Sequence, residues 1–435
     1  MTTAIFHTHT GYTGKPVLIV GAGLAGLTCA THLHRAGIPY RLFDKSDAVG
    51  GRIRTDSVEG FRLDRGFQVL LTAYPEAESL LDYDALDLHP FDAGALIRKN
   101  GRFQHVSDPL RHPGRSLATL SARVGSFSDK LRVLSVRRAA KQSFEQNGSH
   151  RTTGETTAHA LRKSFGFGDD MIASFFQPFI GGITLDPSLK TDRAFFEFVM
   201  HMFAKGNAAF PAGGMQAIPE QLASGLNPEW IHLDTPVKAV LDASALTTEA
   251  GERIDGEKIV VATDMNSART LANDPGTVTD RPWNGTVCLY FRAPVAPLND
   301  PLLMLNGEGE GLINNVVVPS LVAPGFAPEG EHLVAVSVFP DEQVETDILL
   351  ARVEDELSTW FGSQIREWQH LRTYHIPHSL PTQAVGSRTL GASAVAATEH
   401  GVVVCGDHLT TSSINGAMAS GRQAAQFVMS SFALS

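Results

Sequence analysis

Cysteine is scarce and scattered: Cys29, Cys288 and Cys405 are the only three in 435 residues. An odd number at such wide spacing implies no disulfide framework. Long apolar runs are missing as well, since none reaches the ~18 residues that a membrane span needs. The first apolar segment, Val17-Leu18-Ile19-Val20, has no basic region before it and does not read as a signal peptide. Positive charge is in short supply, with 36 Lys and Arg against 46 Asp and Glu and a net charge of −10. That balance argues against general nucleic-acid binding. A cytoplasmic location is the default expectation, and the acceptor patterns at Asn147 and Asn284 carry little weight without secretion. What remains is an ordinary globular composition, 43% hydrophobic and 19% charged. The length suits two domains, or one domain with a large insertion.

The most informative stretch runs from Val17 to Arg52. Val17–Val20 reads as a buried strand, Gly21-Ala22-Gly23-Leu24-Ala25-Gly26 follows at once, and Leu27 to Leu33 has helical spacing. Tyr40-Arg41-Leu42-Phe43 is a second strand, ending on Asp44, 18 residues after Gly26. Gly21 supplies the tight turn, Gly23 lets a pyrophosphate approach the backbone, and Gly26 packs helix on sheet. The helix N-terminus offers free N–H groups and partial positive charge. An acid at Asp44 suits a ribose. Lys45 to Arg52 then places Gly50-Gly51-Arg52 just after the second strand. Taken alone, that trio is a turn with a surface charge.

Taken together, these residues resemble the FAD-binding signature of the flavin amine oxidase superfamily. That group holds amine oxidases, protoporphyrinogen oxidases, and phytoene desaturases with their carotene-isomerase relatives. The resemblance implies that Gly50, Gly51 and Arg52 touch the FAD diphosphate and the flavin's neighbourhood. It also implies that Gly66, Phe67 and Gln68 reach the isoalloxazine, although Phe61 to Leu70 also reads as a plain hairpin.

From Tyr74 to Ala209 helical patterns dominate, as in 129–142, 157–165 and 191–204, where the family inserts its substrate domain. Phe175 to Asp186 and Phe210 to Met215 resemble segments of the desaturase and protoporphyrinogen oxidase branches; such aromatic stripes equally suit a core. Ile231–Leu233, Val237–Val240 and Lys258–Thr263 read as strands. By the resemblance, Val237 meets the adenine and Ala262 with Thr263 closes over the nucleotide. Strands then recur from Trp283, and Leu371 to Pro381 reads as a linker back to the first domain. His375 and His378 in it are candidate proton donors near the flavin, or ordinary loop histidines.

A second motif closes the chain. Gly401 to Cys405 reads as a buried strand, Gly406-Asp407 ends it, and Ser412-Ser413-Ile414-Asn415-Gly416-Ala417 starts a helix capped by serine. This resembles the family's C-terminal flavin motif. The resemblance places Asp407 on the ribityl chain or diphosphate, and Ser413, Ile414 and Ala417 at the flavin, where the helix dipole favours its anionic reduced form. Cys405 suggests a covalent flavin, and His400, Cys405 and His408 a metal, but a cysteine in an apolar strand is usually inert core. No metal site is expected.

The expected fold class is α/β: a Rossmann-type FAD-binding domain with an inserted α+β substrate domain. The FAD-binding parts are 15–73, 207–282 and 385–431; the substrate parts are 74–206, mainly helical, and 283–384, rich in sheet. The expected cofactor set is Gly21, Gly23, Leu24, Ala25, Gly26, Asp44, Lys45, Gly50, Gly51, Arg52, Gly66, Phe67, Gln68, Val237, Ala262, Gly406, Asp407, Ser413, Ile414 and Ala417. FAD is expected to be non-covalent, and no second dinucleotide fingerprint points to bound NAD(P)H. Two departures from the amine oxidases bear on the substrate. The position of their cage tyrosine falls near Ser413, and the strand of their lysine, matched to Gly285–Leu289, has no lysine.

The expected activity is therefore an oxidase or desaturase that takes hydride from an apolar, conjugated or cyclic substrate to flavin N5. Oxygen or a quinone would be the electron acceptor. The alternatives are an amine oxidase with an atypical cage, a flavin-dependent isomerase, or a protein holding FAD structurally or as a sensor. A final feature concerns the surface: residues 98–141 carry eleven Lys or Arg and two acids. They contain a basic, partly apolar helix suited to peripheral docking on an anionic membrane, or simply a solvated face.

Overall fold

The computed structural model describes residues 14–107, 111, 119, 121–147, 153–273, 278–341, 344–386 and 395–433. His7, His9, the sequon residues Gly148 and Ser149, and part of the basic segment lie outside the described residues.

In chain order, β1 (Val17–Val20), α1 (Leu24–Arg35) and β2 (Tyr40–Phe43) come first. Then follow β3 (Gly94–Lys99), β4 (Arg102–Ser107), α2 (Phe127–Asn147), α3 (Gln177–Thr184) and α4 (Arg193–Lys205). β5 (Ile231–His232) and β6 (Ile259–Val261) precede the run β7 (Trp283–Ala293), β8 (Leu303–Asn306), β9 (Ile313–Val317) and β10 (His332–Val338). The chain ends through α5 (Thr346–Phe361), β11 (Gln369–Pro381), β12 (Val395–Ala397), β13 (Val403–Cys405) and α6 (Ile414–Ala433).

The first sheet has the order β5-β2-β1-β6-β13-β12. It is parallel except where β12 runs against β13. β1 is apolar throughout because both its faces are covered. Val17 and Ile19 pack with Leu27, Met418 and Val428 of α1 and α6, while Leu18 and Val20 pack with Leu246, Val261 and Met265. The two helices cross closely enough that a side chain at Gly421 would overlap the Ala25 carbonyl. That crossing brings the N-terminus of α6 and the N-terminus of α1 to the same end of the sheet.

The second sheet has the order β11-β7-β10-β9-β8-β3-β4. Its pairs are antiparallel apart from β8 with β3. α5 covers one face through Leu349, Val353 and Leu357. Two expectations need correction here. Leu371 to Pro381 is not a linker but most of β11, an edge strand paired along β7. The region read as helical after Tyr74 also contains β3 and β4, which extend this sheet. The helices expected at 129–142 and 191–204 are present as α2 and α4, with α2 longer at both ends.

Candidate functional site

A cavity of about 880 Å³ runs from the carboxyl ends of the parallel strands to the inner face of the second sheet. Every expected cofactor residue borders it except Gly26. Gly26 sits behind the wall, where a side chain would overlap the Gly21 carbonyl. Gly21 itself has φ 108°, a conformation that favours glycine, and a Cβ there would press on Ala262 O at 2.7 Å. Gly23 differs from both. No protein atom lies within 4 Å of the place where its Cβ would stand. The absence of its side chain therefore serves whatever occupies the cavity, not the packing of the protein.

The backbone around Gly23 has spare hydrogen-bonding capacity. α1 starts at Gly23 with no side-chain cap, so its first N–H groups are free to meet an anion. Gly50 N donates to Ala22 O at 2.9 Å and Gly23 bridges Gly50, which lays the Gly50-Gly51 loop beside this helix end. Asp44 accepts from Ala22 N at 2.6 Å and from Ser46 N at 2.8 Å, so its carboxylate is held at the rim. Val237 and Lys45 line the same end.

Farther along, Arg52 donates to Asp407 Oδ1 at 2.6 Å and to Ser379 O at 2.7 Å. Arg52 and Asp407 thus meet each other as well as the cavity. Ser413 accepts from Gly416 N at 3.0 Å and caps α6, whose first residue, Ile414, lines the cavity. Asn415 turns elsewhere and accepts from Glu76 N. Gly66, Phe67 and Gln68 continue the wall, and Arg65 beside them is clamped by Asp56 at 2.9 and 3.0 Å.

Two expected residues fall outside. His375 is exposed and shares a hydrogen bond with Thr346 Oγ1 at 3.0 Å, and His378 is exposed against Trp283. Alternation along β11 sends Ile376 to the cavity and His375 away from it. His378 lies where the register with β7 shifts, between the Thr286–Ile376 and Asn284–Leu380 pairs, and does not border the cavity. Neither has the position of a proton donor to a group in the cavity. Cys405 does not line it either: it is fully buried, and burial pushes its thiol up to about 12. No histidine or cysteine is among the described residues that border the cavity.

The far lobe draws on two segments that the sequence marks, Phe175 to Asp186 and Gly285–Leu289, and on residues of α4, β8, β9 and β10 that it does not. Phe179 and Ile183 of α3, Phe195 and Phe203 of α4, and Leu303 of β8 make it apolar. Thr286 of β7, Ser337 of β10, and Asn314 with Asn315 of β9 add neutral polar groups. Thr286 lies within the strand matched to the amine oxidase lysine, so that wall carries a neutral hydroxyl.

The donor set fits a dinucleotide: a glycine cradle that a Cβ would fill, the uncapped end of α1 and the start of α6 at the wall, an acid at the rim, and the ion pair of buried Asp407 with partly exposed Arg52. The family described as "Flavin containing amine oxidoreductase" matches residues 24–429. The chain belongs to it. Among relatives of this flavin family, protoporphyrinogen oxidase 2 (chloroplastic/mitochondrial) of Arabidopsis thaliana is 24% identical over 261 residues, 52% of this chain and 50% of the relative. Putrescine oxidase of Kocuria rosea is 26% identical over 271 residues, 59% of this chain and 55% of the relative. The chain thus spans about half the length of these curated relatives. A solved oxidoreductase from Methanosarcina mazei superposes with a TM-score of 0.72 at 17% identity, covering 95% of this chain and 100% of that one. At that identity the likeness speaks for the fold alone. The fold is that of this flavin-containing family: a Rossmann-type domain with an inserted α+β domain.

Proposed function

We propose that this flavoenzyme removes hydride from a largely apolar, conjugated or cyclic substrate bound in the far lobe. The observation that carries this reading is the distribution of charge. The acids lining the cavity are Asp44, Asp264 and Asp407, each just beyond a strand of the parallel sheet, and Glu249, just beyond the short strand Ala245–Thr248. None of the lining residues from α3, α4 or the second sheet is charged. A lobe without a carboxylate offers a substrate ammonium no counter-charge for its desolvation. The protoporphyrinogen oxidase relative supports the same reading, while the putrescine oxidase relative keeps an amine substrate as the alternative to be tested.

In this reading residues 15–73, 207–282 and 385–431 hold FAD, and 74–206 with 283–384 shape the substrate lobe. FAD is held without a covalent bond, which the absence of cysteine and histidine from the described wall supports. Bound flavin would supply hydride acceptance at N5, with electrons passed on to oxygen or a quinone. The chain's own residues bind and position. The free end of α1 and Gly23 take the diphosphate, and Asp44 holds the adenosine ribose. Arg52 and Asp407 fix the middle of the cofactor, and the N-terminus of α6 stabilises negative charge at its edge. Phe179, Phe195 and Phe203 exclude water from the reacting face. A separate surface, the exposed side of α2, is proposed to dock reversibly on anionic lipid and thereby receive a lipid-soluble substrate.

Anaerobic mixing decides between substrate classes. The yellow protein should keep its flavin absorbance with putrescine and simple primary amines, and lose it with a reduced tetrapyrrole or a polyene. Rapid bleaching by the amines would overturn the proposal in favour of an amine oxidase.

A further inference from the structure

β9 departs from regular pairing at one point inside the far lobe. Ile313 faces Val338 and Asn315 faces Ser337, so two steps along β9 match one step along β10. Asn314 is the extra residue. In regular alternation neighbouring residues point to opposite faces; a bulge re-aims one of them. Here both Asn314 and Asn315 border the cavity. A bulge spent on placing two consecutive amides in an apolar lobe calls for a reason.

The two amides are not equivalent. Asn314 donates from Nδ2 to Pro178 O at 3.1 Å, which ties β9 to α3. Asn315 is 4% exposed and its Oδ1 has no hydrogen-bond partner. Leaving a buried acceptor unpaired carries a penalty that a partner would remove. The polar neighbours do not supply one: Thr286 Oγ1 donates to Val338 O at 3.3 Å, Asn314 donates to Pro178 O, and Ser337, which faces Asn315 across the register, leaves the Asn315 Oδ1 unpaired. The rest of the lobe is largely phenylalanine, isoleucine and leucine, and α3, α4 and the second sheet contribute no charged group. Because the terminal torsion of asparagine is soft, a half-turn of the amide presents its oxygen to the lobe while leaving the backbone in place.

We propose that Asn315 is a specificity-determining residue that pairs with one neutral donor, a hydroxyl or ring N–H, on an otherwise apolar substrate. This inference rests on the proposed function and narrows it: the substrate is not a bare hydrocarbon and not a cation. Selection follows from the unpaired acceptor. A substrate lacking the donor leaves Asn315 unpaired in the complex, and one carrying an ammonium finds no carboxylate.

The test uses FAD-loaded protein and three isoprenoid probes of one skeleton: farnesol, farnesene and farnesylamine. Binding is read from perturbation of the flavin spectrum, so turnover is not required. Wild-type protein should bind farnesol about 10-fold more tightly than farnesene, with farnesylamine weakest. Asn315→Leu should bring the farnesol-to-farnesene ratio close to one. Asn315→Asp should shift preference towards farnesylamine. FAD content and melting temperature of each variant report whether it folds. Equal affinity of wild-type protein for farnesol and farnesene, or an unchanged ratio in folded Asn315→Leu, would overturn the inference and leave the apolar lobe standing. Failure of all three probes to bind the yellow wild-type protein would instead overturn the proposed function, and this inference with it.

Discussion

Arg52 and Asp407 are 355 residues apart in sequence and share a 2.6 Å ion pair in the wall of the cavity. A second nitrogen of Arg52 reaches Ser379 O, so the guanidinium joins the Gly50-Gly51 loop, β11 and the end of β13. Asp407 is buried while Arg52 is 37% exposed on its side chain, which makes the pair asymmetric. Removing Arg52 leaves a buried carboxylate without its partner, a costly state. Removing Asp407 leaves a cation that solvent can reach. Arg52→Ala should therefore destabilise the apoprotein more than Asp407→Ala, while both weaken FAD binding. In a double-mutant cycle on FAD affinity the two should couple by about 1–3 kcal/mol. Strict additivity would show that they act on the cofactor independently.

Gly23 separates cofactor binding from folding. With open space where its Cβ would stand and φ of −75°, valine there strains little in the empty protein. It projects into the place proposed for the pyrophosphate. Gly23→Val should fold with near-normal thermal stability and purify colourless. Gly26→Ala should instead fail to fold well, because its side chain meets the Gly21 carbonyl. A yellow, stoichiometrically loaded Gly23→Val protein would remove FAD from this end of the cavity.

The contrast between these glycines also shows what sequence makes legible. Turn, helix end and strand end are local requirements, and Gly21, Gly23, Asp44, Gly406 and Ser413 announce them through spacing alone. The far lobe depends instead on contacts between distant strands. β11 hides as a linker because it is an edge strand: Arg372, His375, Pro377 and His378 face solvent, and proline is tolerated where no ladder partner waits. β3 is legible only beside β8, some two hundred residues on, with which it pairs in parallel. The bulge at Asn314 leaves no trace in composition. It exists only in the register between two strands.

Asp64 gives a prediction in pH. It is 2% exposed, and burial pushes its carboxyl up to about 7, against hydrogen bonds from Thr55 Oγ1 at 2.6 Å and Met215 N at 3.0 Å. The folded protein holds this proton more tightly than the unfolded chain, whose aspartate titrates near ~4. The contribution to stability is therefore full below about pH 4 and is lost as pH rises through about 7. Asp64→Asn removes the charge but keeps a carbonyl acceptor for Thr55 and Met215. Relative to wild type, the variant should gain stability between pH 5 and 8, by at most about 4 kcal/mol. Denaturant melts at both pH values provide the comparison. A difference that stays flat across the range would mean that Asp64 titrates like an ordinary carboxylate.

The outer side of α2 tests how a lipid-soluble substrate arrives. Phe127, Leu131 and Leu134 are 63%, 53% and 42% exposed. They recur at i, i+4 and i+7, so they form one stripe, and exposed Arg138 continues it. Val136 and Ala140 face inward and are fully buried, which fixes the helix and leaves the stripe outward. Arg137 is only half exposed, so Arg138 is the better cation to change. Three large apolar side chains followed by a cation match an anionic bilayer, each cation near the surface adding about 1 kcal/mol. Docking should then be reversible and weakened by salt. Full-length protein should co-sediment with vesicles containing phosphatidylserine at low salt and release at high salt, while binding neutral vesicles weakly. Leu131→Ser with Arg138→Glu should reduce sedimentation several-fold and leave the flavin spectrum unchanged, since neither residue lines the cavity. Equal and negligible binding to both kinds of vesicle would show that the stripe meets no membrane. A normal wild-type result that survives the double substitution would place the docking surface elsewhere on the molecule.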